Sequence, residues 1–279
     1  MRGTLNFLVK ISRPRFWVYL FGTYLVGYTF GLDSPEGFRI PIFWIHLIYF
    51  MWMANFWLYG INDLYDEDTD KYNLKKGSYE VRLARERKRT VIKIVKLIGI
   101  FSIGLMLMQT VAGALMILIW GMLGWAYSSP PLRFKARVGW DFASNILYGI
   151  PGLLGYWQSS LNLPDWKIIL AIWLWCGAMH LFSAIPDIKA DSQAGLGTTA
   201  VKLGLRKSLI TCLSLWSLAV VLAGFGLGWW SMIGLIYPGI CIYLLVGKKE
   251  ISAMYKNLPV VNALAGLCLF GYAIWPLIN

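Results

Sequence analysis

Five of the chain's fourteen acidic residues fall within eight positions, in the stretch GINDLYDEDTDKYNLKK. Asn62, Asp66 and Asp70 are spaced i, i+4, i+8 there, so on a helix that continues past the preceding apolar run they line one stripe, with Asp63 beside them. Like charges at this spacing destabilise a helix by about 0.2–0.5 kcal/mol. The crowding therefore indicates either a loop whose charges water screens or a site that holds a cation.

A second acidic pair repeats the pattern. Asp187 and Asp191 stand at i, i+4 in SAIPDIKADSQAG, again at the end of an apolar run. Oxygen ligands with no His or Cys beside them favour a hard cation, and Mg²⁺ characteristically bridges a few carboxylates to substrate phosphates. Two such clusters in helical register favour a magnesium site over two solvated acidic loops.

Between the two acidic motifs lies a basic segment, YSSPPLRFKARVGWD, that suits a phosphate group. Arginine offers a bidentate fork and lysine a point charge to diphosphate oxygens, and two prolines end the preceding helix and stiffen the turn. A loop at a membrane surface is often basic in any case, so the segment alone does not indicate a phosphate site. Beside the two acidic motifs it is the expected phosphate-binding counterpart. Its polar candidates are Tyr127, Ser128, Arg133, Lys135 and Arg137.

The elements that carry these motifs are predicted to be membrane helices. The 279-residue chain is 58% hydrophobic and only 14% charged, against about 25% charged residues in soluble domains, and its mean hydropathy is +0.58. The first apolar run lacks a small-residue cleavage site, so no signal peptide is predicted. Given about 20 residues for each span, apolar windows predict nine transmembrane helices, at 15–32, 40–62, 91–108, 111–127, 141–158, 166–186, 208–228, 229–246 and 258–277.

Positive charge marks one face of this predicted bundle. Of the 26 Lys and Arg residues, all but Arg39 and Lys167 fall in the N-terminal segment or in the loops of a single face. The positive-inside rule makes that face cytoplasmic, with the N-terminus inside and the C-terminus outside the cell membrane. Membrane topology thus accounts for the net charge of +12, and no nucleic-acid partner is predicted.

These parts together indicate a reaction class. An isoprenoid diphosphate has a head for Mg²⁺, carboxylates and basic groups, and a tail for apolar helices. Loss of the diphosphate leaves an allylic carbocation, which must be kept from water and which aromatic faces stabilise. His180, which precedes Asp187 by two turns on the same face, is either a polar pocket residue or a core histidine. Aromatic candidates near the cytoplasmic helix ends are Tyr65, Tyr127, Phe142, Tyr148 and Phe182.

The motifs resemble those of the UbiA superfamily of intramembrane prenyltransferases. The family's N-D-x-x-D-x-x-x-D motif, its D-x-x-x-D motif and its Y-x-x-x-P-x-R-x-K type element are matched in turn by residues 62–70, residues 187–191 and YSSPPLRFK. The resemblance implies one all-α integral membrane domain over residues 1–279, with about nine transmembrane helices around a central cavity. It also implies two Mg²⁺ ions that bridge aspartates to the substrate diphosphate.

The same resemblance assigns site roles to this chain. The expected metal-binding residues are Asn62, Asp63, Asp66, Asp70, Asp187 and Asp191. The expected diphosphate-binding residues are Arg13, Tyr127, Arg133, Lys135 and Lys189. The residues expected to act in catalysis are Asp66, Asp187, Asp191, Tyr127 and Lys135.

The segment after the first motif indicates the branch of the superfamily. Members that act on aromatic acceptors often carry an N-R-P-x-R-P type segment, whereas Asn73 is followed here by LKKGSYEVRLARERKR. The stretches NDLYDEDTDKYNLKKGSYE and MHLFSAIPDIKADSQAGLGTTAVKLG are similar instead to the lycopene elongases, which implies transfer of a dimethylallyl group to lycopene in the bilayer. Prenylation of an aromatic or quinone-precursor acceptor by a longer polyprenyl diphosphate remains the alternative. A cation transporter is disfavoured because both motifs lie at helix ends rather than near the bilayer midplane, and a lipid phosphotransferase because its D-G-x-x-A-R signature is absent.

Overall fold

The computed structural model describes residues 2–66, 83–247 and 250–279. Within these ranges every regular element is helical, which confirms the predicted all-α class. Short 3₁₀ turns connect several of the helices. The α-helices are α1 Arg2–Ile11, α2 Val18–Phe30, α3 Pro41–Ile48, α4 Ala54–Tyr65, α5 Lys88–Leu107, α6 Val111–Ser128, α7 Trp140–Ala143, α8 Ile150–Ser160, α9 Trp166–Ala184, α10 Ile188–Gln193, α11 Thr199–Leu227, α12 Ile236–Gly247 and α13 Ile251–Ile278.

Six helical stretches among the described residues are long and apolar enough to cross a membrane. They are Pro41–Tyr65, Arg85–Leu107, Val111–Ser128, Trp166–Gln193, Thr199–Gly247 and Ile251–Ile278. The chain is therefore an integral membrane protein, while the count of nine spans stays a prediction. Helices α2 and α8 have 13 and 11 residues, fewer than the roughly 20 of a full span, and the 49-residue stretch covers two of the predicted windows.

The predicted helix at 141–158 is broken in the structure. Helix α7 ends at Ala143, a 3₁₀ turn occupies Ser144–Tyr148, and α8 begins at Ile150. Pro151 stands in the first turn of α8, where its missing N–H costs nothing. The break leaves α7 free to pack separately from α8.

The amphipathic helix α1 precedes the first predicted span. Its Phe7 and Ile11, at i and i+4, are buried against the bundle, and the guanidinium of Arg87 lies 4.5 Å from the centre of the Phe7 ring. Sequence reasoning treated this segment only as polar and basic. Docking of α1 fixes the start of the turn that carries Arg13 into α2.

Helices α2 and α8 meet backbone to backbone. A Cβ added to Gly27 would overlap the carbonyl oxygen of Gly152, and one added to Gly155 would stand 2.5 Å from the carbonyl oxygen of Tyr24. Small residues allow this close approach. In lipid, where no hydrophobic effect holds two helices together, such close van der Waals packing stabilises the pair. One wall of the bundle is thereby tightly packed.

A π-helical turn, Tyr49–Met53, joins α3 to α4 without ending the helix. Asn55 donates hydrogen bonds to the carbonyl oxygens of Phe50 and Met51, at 2.8 and 3.0 Å. These bonds satisfy carbonyl oxygens in the π-helical turn, where the regular i to i+4 pattern of backbone hydrogen bonds is interrupted. The long helix thus continues to Tyr65, with Asn62 in its last turn and Asp66 directly after it.

Buried side chains form two clusters. One lies among α1–α6 and α8 and includes Tyr24 and Trp120, and the other lies among α9 and α11–α13 and includes Phe182 and Trp216. Residues from both halves line one large cavity.

Candidate active site

The first acidic motif lies at the end of α4 and divides its residues between two directions. Asn62 and Asp66 line the cavity. Asp63 does not, because neighbours on a helix differ by about 100° in direction. Instead Asp63, with 2% of its surface exposed, pairs with the Arg13 guanidinium at 3.0 Å. Asp70 lies outside the described residues.

Arg13 is held from three sides and lines the cavity. Besides its pair with Asp63, it donates to the Oδ1 of Asn62 at 3.4 Å, and its guanidinium lies 4.5 Å from the centre of the Tyr59 ring. Asn62 in turn donates from Nδ2 to the Ser128 hydroxyl at 3.1 Å. The cation is therefore oriented before any substrate arrives.

The basic segment brings its charges to Asp66 through a 3₁₀ turn, Phe134–Ala136. The buried Lys135 ammonium donates to the Asp66 carboxylate, and the Nη2 of Arg133 lies 4.0 Å from the same carboxylate oxygen. Burial lowers the pKa of Lys135 to about 8, against the opposing effect of the Asp191 carboxylate. Lys135 lines the cavity and Arg133 stands behind it.

Arg13 and Arg133 share an unusual backbone. Both adopt left-handed conformations, with φ of 50° and 39°, and each begins a 3₁₀ turn. Such conformations cost a non-glycine residue about 1–3 kcal/mol and persist where the surroundings impose them. Both residues lie beside acidic side chains of the first motif, Arg13 at Asp63 and Arg133 at Asp66.

The second acidic motif enters the cavity from the end of α9. A 3₁₀ turn, Ile185–Asp187, leads into α10, and Asp187 and Asp191 both line the cavity. Lys189 points away: it is exposed and is not among the residues that line the cavity. The structure thus brings together both aspartates of this motif but does not bring Lys189 to them.

Asp141 holds the chain that follows the second motif, and sequence reasoning missed it. Its carboxylate, in a residue with 1% exposure, accepts from the backbone N–H and the hydroxyl of Thr199, at 2.6 and 2.5 Å. The Thr199 hydroxyl also accepts from the N–H of Gly139 at 2.7 Å. Thr199 is the first residue of α11, so Asp141 satisfies one backbone donor at that helix start. An isolated acid at the start of an apolar run was the available signal, since acids are rarely buried without a partner.

Aromatic side chains line the cavity next to the acidic end. The Tyr59 and Tyr148 hydroxyls lie 3.3 Å apart, the ring centres of Phe16 and Tyr59 are 5.8 Å apart, and those of Tyr19 and Tyr148 are 6.2 Å apart. We call these four side chains the aromatic chamber. Tyr59 could have been found from its spacing, since it precedes Asn62 by three residues on the same helix.

Tyr127 and His180 form a second polar pair in the cavity. The Tyr127 hydroxyl lies 3.3 Å from the Nε2 of His180, and both residues line the cavity. His180 is therefore a pocket residue. Of the other aromatic candidates, Tyr148 belongs to the chamber, whereas Tyr65 is exposed and Phe142 and Phe182 pack within the second cluster.

The cavity runs through the bundle and has a volume of about 1140 Å³. We call the end that carries Asp66 and Asp187 the site end. The opposite, distal end is lined by Phe30 and Trp230, whose ring centres lie 5.9 and 4.8 Å from that of Tyr272 on α13. Along α9 the lining extends from Ala184, three residues before Asp187, to Ile168, about 24 Å at 1.5 Å per residue.

The donor set fits a hard divalent cation. Asn62, Asp66, Asp187 and Asp191 present only oxygen acceptors or an amide to one cavity, as Mg²⁺ prefers. In the part of the chain that the structure describes, no three His, Cys, Asp or Glu side chains already converge on a metal position. The Asp66 carboxylate pairs instead with the Lys135 ammonium.

Comparison with known proteins agrees with this geometry. The model of the UbiA prenyltransferase family matches residues 20–275. Lycopene elongase/hydratase of Haloarcula japonica is 35% identical over 272 residues, which are 97% of this chain and 92% of the relative. The lycopene elongase/hydratase of Halobacterium salinarum is 35% identical over 98% of this chain and 99% of its own.

A solved structure shares the fold. The UbiA homolog from Archaeoglobus fulgidus bound to DMAPP and Mg²⁺ superposes with a TM-score of 0.73 and 19% identity, over 95% of this chain and 98% of that one. The similarity to the lycopene elongase branch expected from the motifs is confirmed by the two curated relatives. The chain therefore belongs to the UbiA prenyltransferase family and is a membrane-embedded prenyltransferase.

Proposed function

We propose that this prenyltransferase transfers a dimethylallyl group from its diphosphate to lycopene in an Mg²⁺-dependent reaction. The observation that carries the proposal is one cavity that joins acidic and basic residues at the site end to a long apolar passage. The charged head and small tail of the donor match the site end. The long hydrocarbon acceptor matches the apolar passage. The names of the curated relatives support the acceptor.

The head of the donor binds at the site end. Arg13 and Lys135 line this part of the cavity, and Arg133 adds charge from behind. The Tyr127 hydroxyl lines the same cavity beside His180 and would donate to the diphosphate. Mg²⁺, held by Asn62, Asp66, Asp187 and Asp191, would neutralise the departing diphosphate, as the Mg²⁺-bound structural relative supports.

The chemistry requires one bond to break and one to form. The C1–O bond of the donor breaks, both electrons leave with the diphosphate, and an allylic cation remains. The terminal alkene of the acceptor then supplies two electrons to C1, and the resulting cation loses a proton or is captured by water. The chamber residues Phe16, Tyr19, Tyr59 and Tyr148 present ring faces to the cation, an interaction worth about 0.5–2 kcal/mol for each favourable ring.

Two residues of the first motif take different roles in this proposal. Asp66 faces the cavity, so it acts on metal and donor. Asp63 is turned toward Arg13, so it acts by holding that guanidinium in place. Lys189 is exposed and does not line the cavity, so this proposal gives it no part in binding the diphosphate.

The distribution of Lys and Arg supports a cytoplasmic site end, with the N-terminus inside and the C-terminus outside. The diphosphate donor then reaches the enzyme from the cytoplasm, and the acceptor reaches it from the bilayer. Accessibility of single cysteines introduced in the 195–198 loop and at residue 279 to an impermeant reagent tests this orientation.

A transfer assay tests the function. Membranes that contain the protein are incubated with Mg²⁺ and labelled dimethylallyl diphosphate, with lycopene, 4-hydroxybenzoate or no acceptor. We expect label in lycopene and its loss in Asp66→Asn and Asp187→Asn, whereas Asp33→Asn, an exposed position outside the cavity, serves as the matched control. Label only in the aromatic acid would overturn the acceptor, and full activity of both site variants would overturn the metal site.

A further inference from the structure

A dimethylallyl donor does not account for the distal part of the cavity. Because its chain has only five carbons, a dimethylallyl group bound with its diphosphate at the site end is much shorter than the roughly 24 Å passage. Beyond the chamber the lining consists mainly of apolar side chains and small residues, including Ala223, Gly226 and Gly266. This space is therefore available to the acceptor.

We propose that the distal end is a subsite for the remote end of a long, linear polyene, and that its free depth selects acceptors by length. The inference rests on the proposed function and adds to it the residues that determine specificity. It places the reacting alkene at the chamber and the other end of the same molecule beside Phe30 and Trp230, as the cavity joins these two regions without interruption.

Small residues keep the passage open at the level where a long acceptor must cross. Gly266 of α13 lines the cavity, and a Cβ built on it meets no atom within 4 Å. It lies eleven residues beyond Tyr255, which is about 16 Å along the helix from the site end. A large side chain here would shorten the passage without touching the site end.

Paired glycine substitutions on α13 provide the test. Gly266→Phe fills the passage, whereas Gly271→Phe introduces the same side chain at an exposed glycine that also has open space but does not line the cavity. Each purified variant receives dimethylallyl diphosphate with lycopene or with a polyene of half the length that carries the same end group. Binding of labelled donor in the presence of Mg²⁺ is measured separately.

We expect Gly266→Phe to lower transfer to lycopene by about 100-fold, because misplacing the reacting atoms by about 1 Å has an effect of that size. Transfer to the short polyene and donor binding should stay within about twofold of Gly271→Phe. If Gly266→Phe fails to fold, Ala223→Phe on α11 fills the same passage, with the lipid-facing Val221→Phe as its control.

Equal activity of Gly266→Phe and Gly271→Phe toward lycopene, or an equal loss with both polyenes, would overturn the length-selecting subsite alone. If the unmodified protein transfers label only to an aromatic acid, the proposed function fails, and the subsite fails with it. The two failures are distinguishable, because the transfer assay with 4-hydroxybenzoate tests the proposed function and the paired glycine variants test the subsite.

Discussion

Asp63→Asn separates the two roles that an acid in the first motif can have. The carboxylate is buried and pairs with Arg13 at 3.0 Å, so we expect the variant to weaken donor binding rather than metal binding. A hydrogen bond between charged groups contributes about 1.5–3 kcal/mol, which corresponds to about 10- to 150-fold. Arg13 keeps its contacts with Asn62 and Tyr59, so the lower part of that range is expected.

The assay measures kcat and KM for dimethylallyl diphosphate at saturating Mg²⁺, and then the Mg²⁺ concentration that gives half-maximal rate at saturating donor. Asp63→Asn should raise the donor KM about 10- to 30-fold and leave the Mg²⁺ requirement unchanged. In an Arg13→Ala background the same substitution should have little further effect, because the partner is already gone. A larger change in Mg²⁺ requirement than in donor KM would refute the reasoning and make Asp63 a metal ligand.

Three further predictions follow from the packing and hydrogen bonds. Gly27→Ala places a methyl group against the Gly152 carbonyl and should lower stability by about 1–3 kcal/mol. The measurement is the thermal midpoint of unfolding in detergent. The control Gly104→Ala, where a Cβ meets open space, should leave this midpoint unchanged. Asp141→Asn puts an amide in place of the carboxylate that accepts from Thr199, and it should lower the stability of the protein by about 1.5–3 kcal/mol. Thr199→Ser retains the hydroxyl and should keep most of the stability in the same denaturation experiment. Tyr59→Leu should lower kcat by about 2- to 30-fold, as loss of a cation–π contact predicts, and Tyr59→Phe should remain close to the parent in single-turnover rate.

Charged residues with a repeated spacing could be predicted from the sequence. Asn62, Asp66, Asp187 and Asp191 were identified by spacing and motif, and all four line one cavity. The spacing of a motif does not specify which of two adjacent residues faces the cavity. That Asp63 faces Arg13 instead of the cavity is therefore seen only in the structure. The same applies to Lys189, which lies between two aspartates in the sequence and on another side in space.

The remaining features depended on contacts between distant segments. Among fifteen Trp, fifteen Tyr and fourteen Phe residues, position near a helix end selected Tyr148. No spacing joined it to Tyr59 or to the pair Phe16 and Tyr19, because the chamber combines three distant segments of the chain. The break between α7 and α8 was missed because apolar windows respond to hydropathy and not to backbone direction. The role of Asp141 depends on its hydrogen bond with Thr199, which lies 58 residues later in the chain and cannot be paired with it from the sequence.

The ion pair between Asp66 and Lys135 has a consequence for metal binding. The Asp66 carboxylate is already compensated by a cation of the same chain, as Asp63 is by Arg13. A divalent ion that binds Asp66 must therefore displace the Lys135 ammonium or share the carboxylate with it, so metal binding and the position of this lysine are coupled.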